Sequence, residues 1–529
     1  MTKHQVLKAN LATIKQHPAL LQSLTRIQRG IERECLRISN TGNLAQTDHP
    51  YHLGSALSHP KITTDYSESL LEFITPVHQS VSGVLQSLNE VHRFTYQTLA
   101  EQDELIWSAS MPNQLGDEKD IPIAKYGNSN VAKMKNIYRH GLGLRYSRHM
   151  QTIAGIHYNF SLPDKFWANY QHITKNTDSA ELFRTEKYFG LIRNFRRVAP
   201  LFVYLQGASP ALSKSFLQDQ NHQLEVLDSD TLYSPYATSL RMSDLGYQSS
   251  AQEQLFVCYN SLENYIDTLK AGINTSYPDY SITGIKSDNG QYQQLNDSLL
   301  QIENEFYSIV RPKRVAASGE APLNALARAG VEYIEIRCID IDPYSPTGID
   351  EHTLRFLDLL LLYCLFSDSP QVTGQQCSEH TENLKTVVDR GREPGLNIKE
   401  NGINIDFKQW CEDELKAIQE LALILDSLRA NNDYTICINK QLEKVATPSL
   451  TPSAEVLSDM RRHNLSFNAF GLQQSKHWQT YFSSKPLTGS LLKRFSELAE
   501  NSHAQQKAIE AATQIPFDEY LEDFYLQYR

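Results

Sequence analysis

Apolar residues recur at near-helical spacing through 5–28, where Val6, Leu7, Leu11, Ile14, Leu20, Leu21 and Leu24 mark one face. The pattern predicts one amphipathic helix, ended by Arg29-Gly30. Ile31 to Ser39 is short and mixed, as a strand would be. The run 69–75, closed by Pro76, predicts a second strand, although a helical beginning fits the same letters. Period and capping place helices at 80–102, 180–206 and 251–271, with strands at 152–162 and 331–340. Further helices are predicted at 350–366, 409–430, 451–463 and 488–513. The stretch 374–402 is polar, carries Gly and Pro, and reads as a surface excursion. Strands dispersed through the first two thirds and helices around them make an α+β protein. Regular βαβ alternation is missing, which argues against a doubly wound parallel sheet.

The 529 residues are 40% hydrophobic and 10% aromatic, enough to bury a sizeable core rather than stay disordered. Length alone allows roughly three or four domains, but no repeat, low-complexity tract or linker divides the chain. With 50 Lys+Arg against 61 Asp+Glu, the net charge of −11 excludes a free-standing basic nucleic-acid binder. The most apolar run, Phe356 to Phe366, contains Asp358 and falls well short of the ~20 residues that span a bilayer. Residues 1–26 contain no apolar core of a secretory signal. Seven cysteines lie far apart with no CxxC spacing, which points to free thiols in a reducing cytoplasm. Cys377 has no cysteine close after it, so no local disulfide is expected there.

Four strand segments carry candidate chemistry. In GIERECLR at 30–37, Glu32 and Glu34 share a strand face roughly 7 Å apart. Two carboxylates so close repel unless a cation lies between them, and oxygen-rich pairs suit Mg²⁺ or Mn²⁺. A solvated charged strand would show the same letters. Glu72 stands between Leu71 and Phe73, and a buried carboxylate must be paired, protonated or metal-bound; an edge strand would instead turn it to water. His157, Asn159 and Ser161 form a polar strand face backed by Ile156, Tyr158 and Phe160. That fits a site wall, or a structural histidine. Tyr333, Glu335 and Arg337 share another face, readable as an ion pair or as a metal ligand beside a phosphate clamp. Two basic segments, 138–143 and 238–247, set Arg near Gly and Tyr as carboxylate-binding loops do. A Walker A motif, a GxGxxG turn, HExxH and GxSxG do not occur, so any nucleotide would be held through metal-bridged phosphates.

Taken together these segments resemble the bacterial glutamate–cysteine ligases of the proteobacterial type. The resemblance is carried by GIERECLRI at 30–38, TTDYSESLLEFITPV at 63–77, YRHGLGLRY at 138–146 and MQTIAGIHYNFSLP at 150–163. It continues in ATSLRMSDLGY at 237–247, LQIENEFYSIVRPKR at 300–314 and GVEYIEIRCIDIDPYSP at 330–346. It implies a fold similar to glutamine synthetase: a curved, mostly antiparallel sheet forming a funnel, with helices outside. It implies one catalytic unit over 1–529, whose mainly helical last third, about 350–529, packs on the sheet. The reaction implied joins the γ-carboxylate of L-glutamate to the amine of L-cysteine through γ-glutamyl phosphate, with ATP as co-substrate. This is the first step of glutathione biosynthesis.

By the same resemblance Glu32, Glu34, Glu72, His157 and Glu335 are metal ligands for Mg²⁺ or Mn²⁺, and Glu335 and Arg337 are catalytic. Tyr66, Tyr138, Leu142, Gln151, Arg241, Tyr247 and Tyr307 form the cysteine pocket, with Arg241 on the substrate carboxylate. Relatives often carry Phe where this chain has Tyr66. A monomer free of nucleic acid and membrane is expected, with feedback binding of glutathione across both amino-acid subsites. A ligase for another amine, a metal-dependent hydrolase and a non-catalytic relative are the alternatives. They predict, in turn, a different amine requirement, turnover without ATP, and nucleotide binding without ADP release.

Overall fold

The computed structural model describes residues 3–218, 220–245, 250–253, 255–317, 319–512 and 515–529. Its centre is a sheet of β1 (Gln28–Ser39), β2 (Ile62–Thr64), β3 (Leu70–Ile74), β4 (Glu104–Ile106), β5 (Ile156–Ser161), β6 (Val310–Lys313) and β7 (Tyr333–Ile339). The order is β2-β3-β1-β5-β7-β6, with β4 pairing the far end of β1. Every pairing in it is antiparallel, which is the sheet type the resemblance implied. One face is polar. The other carries Ile31, Cys35, Phe73, Tyr158, Phe160, Ile334 and Ile336, all essentially buried.

Helices cover that apolar face. Glu351–Phe366 is buried around most of its circumference, so it runs inside the molecule between other helices rather than along its surface. Its Asp350 N-cap accepts from the Thr353 amide. Asp358 sits on it at 0% exposure and takes both prongs of Arg29, at 2.9 and 2.6 Å. The hydroxyls of Tyr158 and Tyr434 donate to the same carboxylate at 2.7 and 2.8 Å. This network joins β1, β5, the Glu351–Phe366 helix and the Asp433–Ala446 helix.

Helix Val81–Leu99 also backs the sheet. Its His92 ring lies edge-on to Phe73 and stacked near Phe482, with Nδ1 donating to the Leu88 carbonyl at 2.7 Å. Burial, and next the charge of Arg33, hold this imidazole well below its ordinary pKa. Below pH ~6.5 the unfolded chain takes up a proton that the folded protein refuses, so stability is full above that value and falls as pH drops toward the folded pKa. We expect the unfolding free energy from urea titration to fall between pH 7.5 and 5.5, by up to ~1.4 kcal/mol per pH unit from this group. A His92→Phe variant should show a shallower slope; an equal slope would refute the assignment.

Three sequence expectations are corrected. The single helix over 5–28 is instead Lys3–Lys15 and Pro18–Ser23, because Pro18 cannot continue a helix but suits the first turn of a new one. Arg29-Gly30 lies inside β1. The helix predicted at 251–271 is a short turn, Ser250–Glu253, then Leu262–Asn274 capped by Ser261. The stretch 374–402 is no loose excursion. Thr373 and Gln376 form a capping box that opens helix Gly374–Arg390, and a hairpin of Asn397–Glu400 and Ile403–Asp406 follows. Its Cys377, Val387 and Val388 are buried, and the Val388 carbonyl accepts from the Thr238 amide at 2.8 Å. All seven cysteines are free.

Candidate active site

Strand register gathers the charged residues. Glu32 on β1 stands opposite His157 on β5, and Glu34 opposite Glu72 on β3. Glu335 on β7 faces Asn159 on one side and Arg311 on the other. Residues directly opposite in an antiparallel pair share a face, so all these side chains meet on the polar side. Between Ile336 and Ile339 the β7 register shifts by a bulge.

The resulting cluster is tight. His157 Nδ1 lies 3.3 Å from Glu32 Oε2 and 3.8 Å from Glu335 Oε1, and its Nε2 lies 3.6 Å from Glu34 Oε1. One ligand atom each from Glu32, His157 and Glu335 fits within 4.8 Å of the others. Asn159 Nδ2 donates to Glu32 at 2.8 Å, and the Gly155 amide donates to Glu34 at 2.7 Å. Lys313 Nζ and Arg337 Nη1 reach Glu335 at 3.3 and 3.1 Å.

Electrostatics divides the four carboxyls. Burial pushes Glu72 well above the usual range, and Glu32, Asp65 and Glu34 add repulsion. Burial also raises Glu34, against the pull of His157. Glu335 is equally buried, but Lys313, Arg337 and His157 hold it well below its ordinary value. Glu32 is brought down, against its burial, by the hydrogen bond with His157. Positive charge is therefore supplied on the β6–β7 side and lacking on the β1–β3 side.

A cavity of about 290 Å³ opens on this cluster. Glu32, Glu34, Glu72, His157, Glu335 and Arg337 line it, together with Tyr66, Tyr138, Leu142, Gln151, Arg241 and Tyr307. Tyr247, the remaining residue of the expected pocket, lies outside the described residues. Tyr138 and Leu142 stand not on a loop, as 138–143 suggested, but within helix Asn130–Tyr146. Its two glycines explain the misreading. A Cβ at Gly141 would strike the Gln301 amide, and one at Gly143 the Tyr66 hydroxyl. The extra oxygen of Tyr66 is thus housed against Gly143, although it finds no hydrogen-bond partner among the described residues.

Arg241 is held from several sides. Its Nη2 donates to the Arg337 carbonyl at 3.0 Å, and Nη1 lies 3.8 Å from Asp340. Asp340 is fixed by the Ala208 amide and the hydroxyls of Ser209 and Ser239 at 2.8 to 2.9 Å. The guanidinium rests on Gly155, where any Cβ would collide with it.

Sequence reasoning missed Asp65, Tyr146, Glu305, Arg311 and Lys313, which line the same cavity together with Arg139 of the basic segment 138–143. Arg311 and Lys313 were detectable: they alternate with Val310 and Pro312, as a strand with one polar face requires. Glu305 accepts from Arg145 Nη1 at 2.8 Å, the Tyr146 hydroxyl at 2.6 Å and the Gln301 amide at 2.7 Å.

The glutamate–cysteine ligase family model matches residues 11–387. The chain belongs to the glutamate–cysteine ligase family. The curated glutamate–cysteine ligases of Pseudomonas paraeruginosa and Pseudomonas putida are 49% and 50% identical to it, over 507 and 500 residues. Those matches cover 95% and 94% of this chain and 95% of each relative. The crystal structure of a Francisella tularensis glutamate–cysteine ligase in complex with AMP superimposes with a TM-score of 0.89 at 36% identity, covering 95% of this chain and 98% of that one. A bifunctional glutathione synthetase from Pasteurella multocida shares the fold (TM-score 0.72, 22% identity, 92% of this chain and 58% of that one). As a glutamate–cysteine ligase the protein is an enzyme that forms γ-glutamylcysteine at the expense of ATP, the first step of glutathione synthesis. Among the described residues, no helix of the ligase is long and apolar enough to cross a membrane.

Proposed function

We propose that the ligation takes place in the cavity over Glu32, His157 and Glu335, with the amino acids on one side of that cluster and the nucleotide on the other. The observation that carries this reading is the convergence of four carboxylates and one imidazole beside Arg337. Such a donor set, rich in oxygen and open to a cavity, fits Mg²⁺ or Mn²⁺ and not a closed zinc site. The burial-raised Glu34 and Glu72 fit a cluster completed by positive charge. Glu32, Glu34, Glu72, His157 and Glu335 would hold the ions, which supply charge neutralisation to the phosphates.

The chain's own groups do the rest. A carboxylate is a poor acyl donor, so the γ-phosphoryl group of ATP first passes to the glutamate γ-carboxylate, and the cysteine amine then displaces phosphate. Arg337 donates to the phosphoryl oxygens as charge builds on them. Arg241 grips the cysteine carboxylate with its planar fork, and Tyr66, Tyr138, Leu142, Gln151 and Tyr307 enclose that substrate. Arg139 and Asp65, opposite charges on one wall, suit the α-carboxylate and α-ammonium of glutamate. The nucleotide reaches the cluster from a second cavity, of about 600 Å³. That cavity is lined by Gly30, Asn159 and Tyr333, each two residues along its strand from Glu32, His157 and Glu335. One monomeric catalytic unit in the cytoplasm, open to glutathione across both amino-acid subsites, completes the reading.

ADP release measured with ATP, Mg²⁺ and L-glutamate should depend strongly on L-cysteine and vanish in a folded Glu335→Gln variant. Release that ignores cysteine would point to another amine or to hydrolysis. A Gly155→Ala variant should raise KM for cysteine by about 10- to 100-fold, the worth of one hydrogen bond to a charged group, because the new methyl displaces Arg241. An unchanged KM would detach Arg241 from cysteine binding.

A further inference from the structure

A sulfur of the protein stands against two side chains that line the proposed amine-substrate subsite, Arg241 and Tyr307. Met242 follows Arg241 in a single 3-10 turn, Leu240–Met242, and its thioether points back onto the groups assigned to cysteine. The Tyr307 hydroxyl donates to Met242 Sδ at 3.1 Å, and Arg241 Nη1 donates to the same sulfur at 3.2 Å. A thioether is a weak acceptor. Two donors converging on one thioether mark a place built for a better acceptor, and the carboxylate of an amino acid is one.

Met242 also differs from its fellows in exposure. Met111, Met134, Met150 and Met460 are all buried, at 0 to 8% exposure, whereas Met242 is only half-buried. Among the described residues it is therefore the methionine most open to a small oxidant. Six of the seven cysteines are buried too, and burial raises the thiols of Cys35, Cys338 and Cys437 to about 12, which keeps them in their unreactive protonated form.

From this geometry we infer that Met242 is a placeholder ligand for two donors of the amine-substrate subsite and a site of reversible peroxide modification that closes the subsite to cysteine. The inference rests on the assignment of Arg241 and Tyr307 to the cysteine pocket. In the resting enzyme the thioether keeps both donors oriented, and the substrate carboxylate displaces it. Hydrogen peroxide converts it to a sulfoxide. A sulfur lone pair attacks one peroxide oxygen, the O–O bond breaks as the S–O bond forms, and the other oxygen leaves as water after proton transfer. Sulfur is oxidised by two electrons and peroxide is reduced by two. The sulfoxide oxygen is a far stronger acceptor than the thioether and forms within reach of Arg241 and Tyr307. It holds them against the incoming carboxylate. A methionine sulfoxide reductase restores the subsite; a thiol reductant such as dithiothreitol does not.

The test uses the full-length enzyme, treated with hydrogen peroxide, freed of oxidant with catalase, and assayed with fresh cysteine. Treated wild type should show KM for cysteine raised about tenfold or more, unchanged KM for glutamate, and a +16 Da mass on the peptide containing Met242. Sulfoxide reductase should reverse the change and dithiothreitol should not. Met242→Leu keeps the volume but removes the acceptor; it should resist peroxide and bind cysteine about fivefold more tightly, the worth of one ordinary hydrogen bond. Equal inactivation of Met242→Leu, recovery with dithiothreitol, or an unmodified Met242 in the inhibited enzyme would overturn the inference. An Arg241→Met control separates the two readings. If it leaves KM for cysteine unchanged, the pocket assignment fails. If it raises KM while Met242→Leu and peroxide have no effect, only the placeholder fails.

Discussion

Arg337→Ala is expected to lower kcat by about 10²- to 10⁵-fold, the range spanned by single oxyanion donors and arginine fingers. The effect should fall on kcat more than on the KM of either amino acid, because in the proposed mechanism the group acts on charge that appears during phosphoryl transfer. Arg337 is placed for this and for little else. Its Nη1 lies 3.1 Å from Glu335 and 3.5 Å from His157, at the rim of the proposed metal cluster. Burial works against its charge, but Glu335 and Glu34 outweigh that and push its pKa further up. The variant should still fold, since Glu335 keeps Lys313 at 3.3 Å. Arg337→Lys should recover only part of the rate, because an ammonium cannot reproduce the planar fork. Steady-state ADP release with saturating Mg²⁺ and glutamate is the measurement, and a kcat within tenfold of wild type would remove Arg337 from the chemistry.

The largest effect on stability is expected from Asp358→Asn. Arg29 and Asp358 are both fully buried, and their attraction offsets a desolvation cost that neither could bear alone. Neutralising the carboxylate leaves a guanidinium without its counter-charge and two tyrosine hydroxyls with a weaker acceptor. A loss of about 3–5 kcal/mol follows, to be read from the urea midpoint at constant slope. Activity should fall only in proportion to the unfolded fraction, since the network lies on the helix side of the sheet. Replacing both partners together, Arg29→Met with Asp358→Leu, should recover much of the loss. A double variant no better than the single one would show that the tyrosines, not the ion pair, carry the stability.

Much of this arrangement was legible in the letters. Strand alternation alone paired Glu32 with Glu34 and set His157 opposite an apolar face, because a period of two leaves little freedom once one face is buried. Helix 180–206 was found to the residue, since its apolar content and its Ser179 cap agree. What failed did so for identifiable reasons. Helix Asn130–Tyr146 hides behind two glycines whose purpose is a close approach by Gln301 and Tyr66, a tertiary fact with no local trace. Helix Gly374–Arg390 is polar because it buries only one narrow stripe. The partition of the carboxyls depends on burial and on charges remote in sequence: Glu72 is raised by burial and then by Glu32, and Glu335 is depressed by Lys313.

The bulge in β7 imposes an arithmetic on the chain. Before it, odd-numbered residues such as Glu335 and Arg337 face the cavity; beyond it, Ile339 pairs with Ile156 on the helix side, and parity is reversed. That reversal turns Asp340 toward Arg241, and the interrupted ladder leaves the Arg337 carbonyl free to accept from the same guanidinium. The segment therefore behaves like a reading frame. Substitutions within it change one side chain at a time, whereas deleting a single residue between Ile336 and Ile339 would exchange inside for outside at the end of the strand, for Ile339 and Asp340. In a library of insertions and deletions, this short stretch should be among the least forgiving in the protein, even at positions where many substitutions survive.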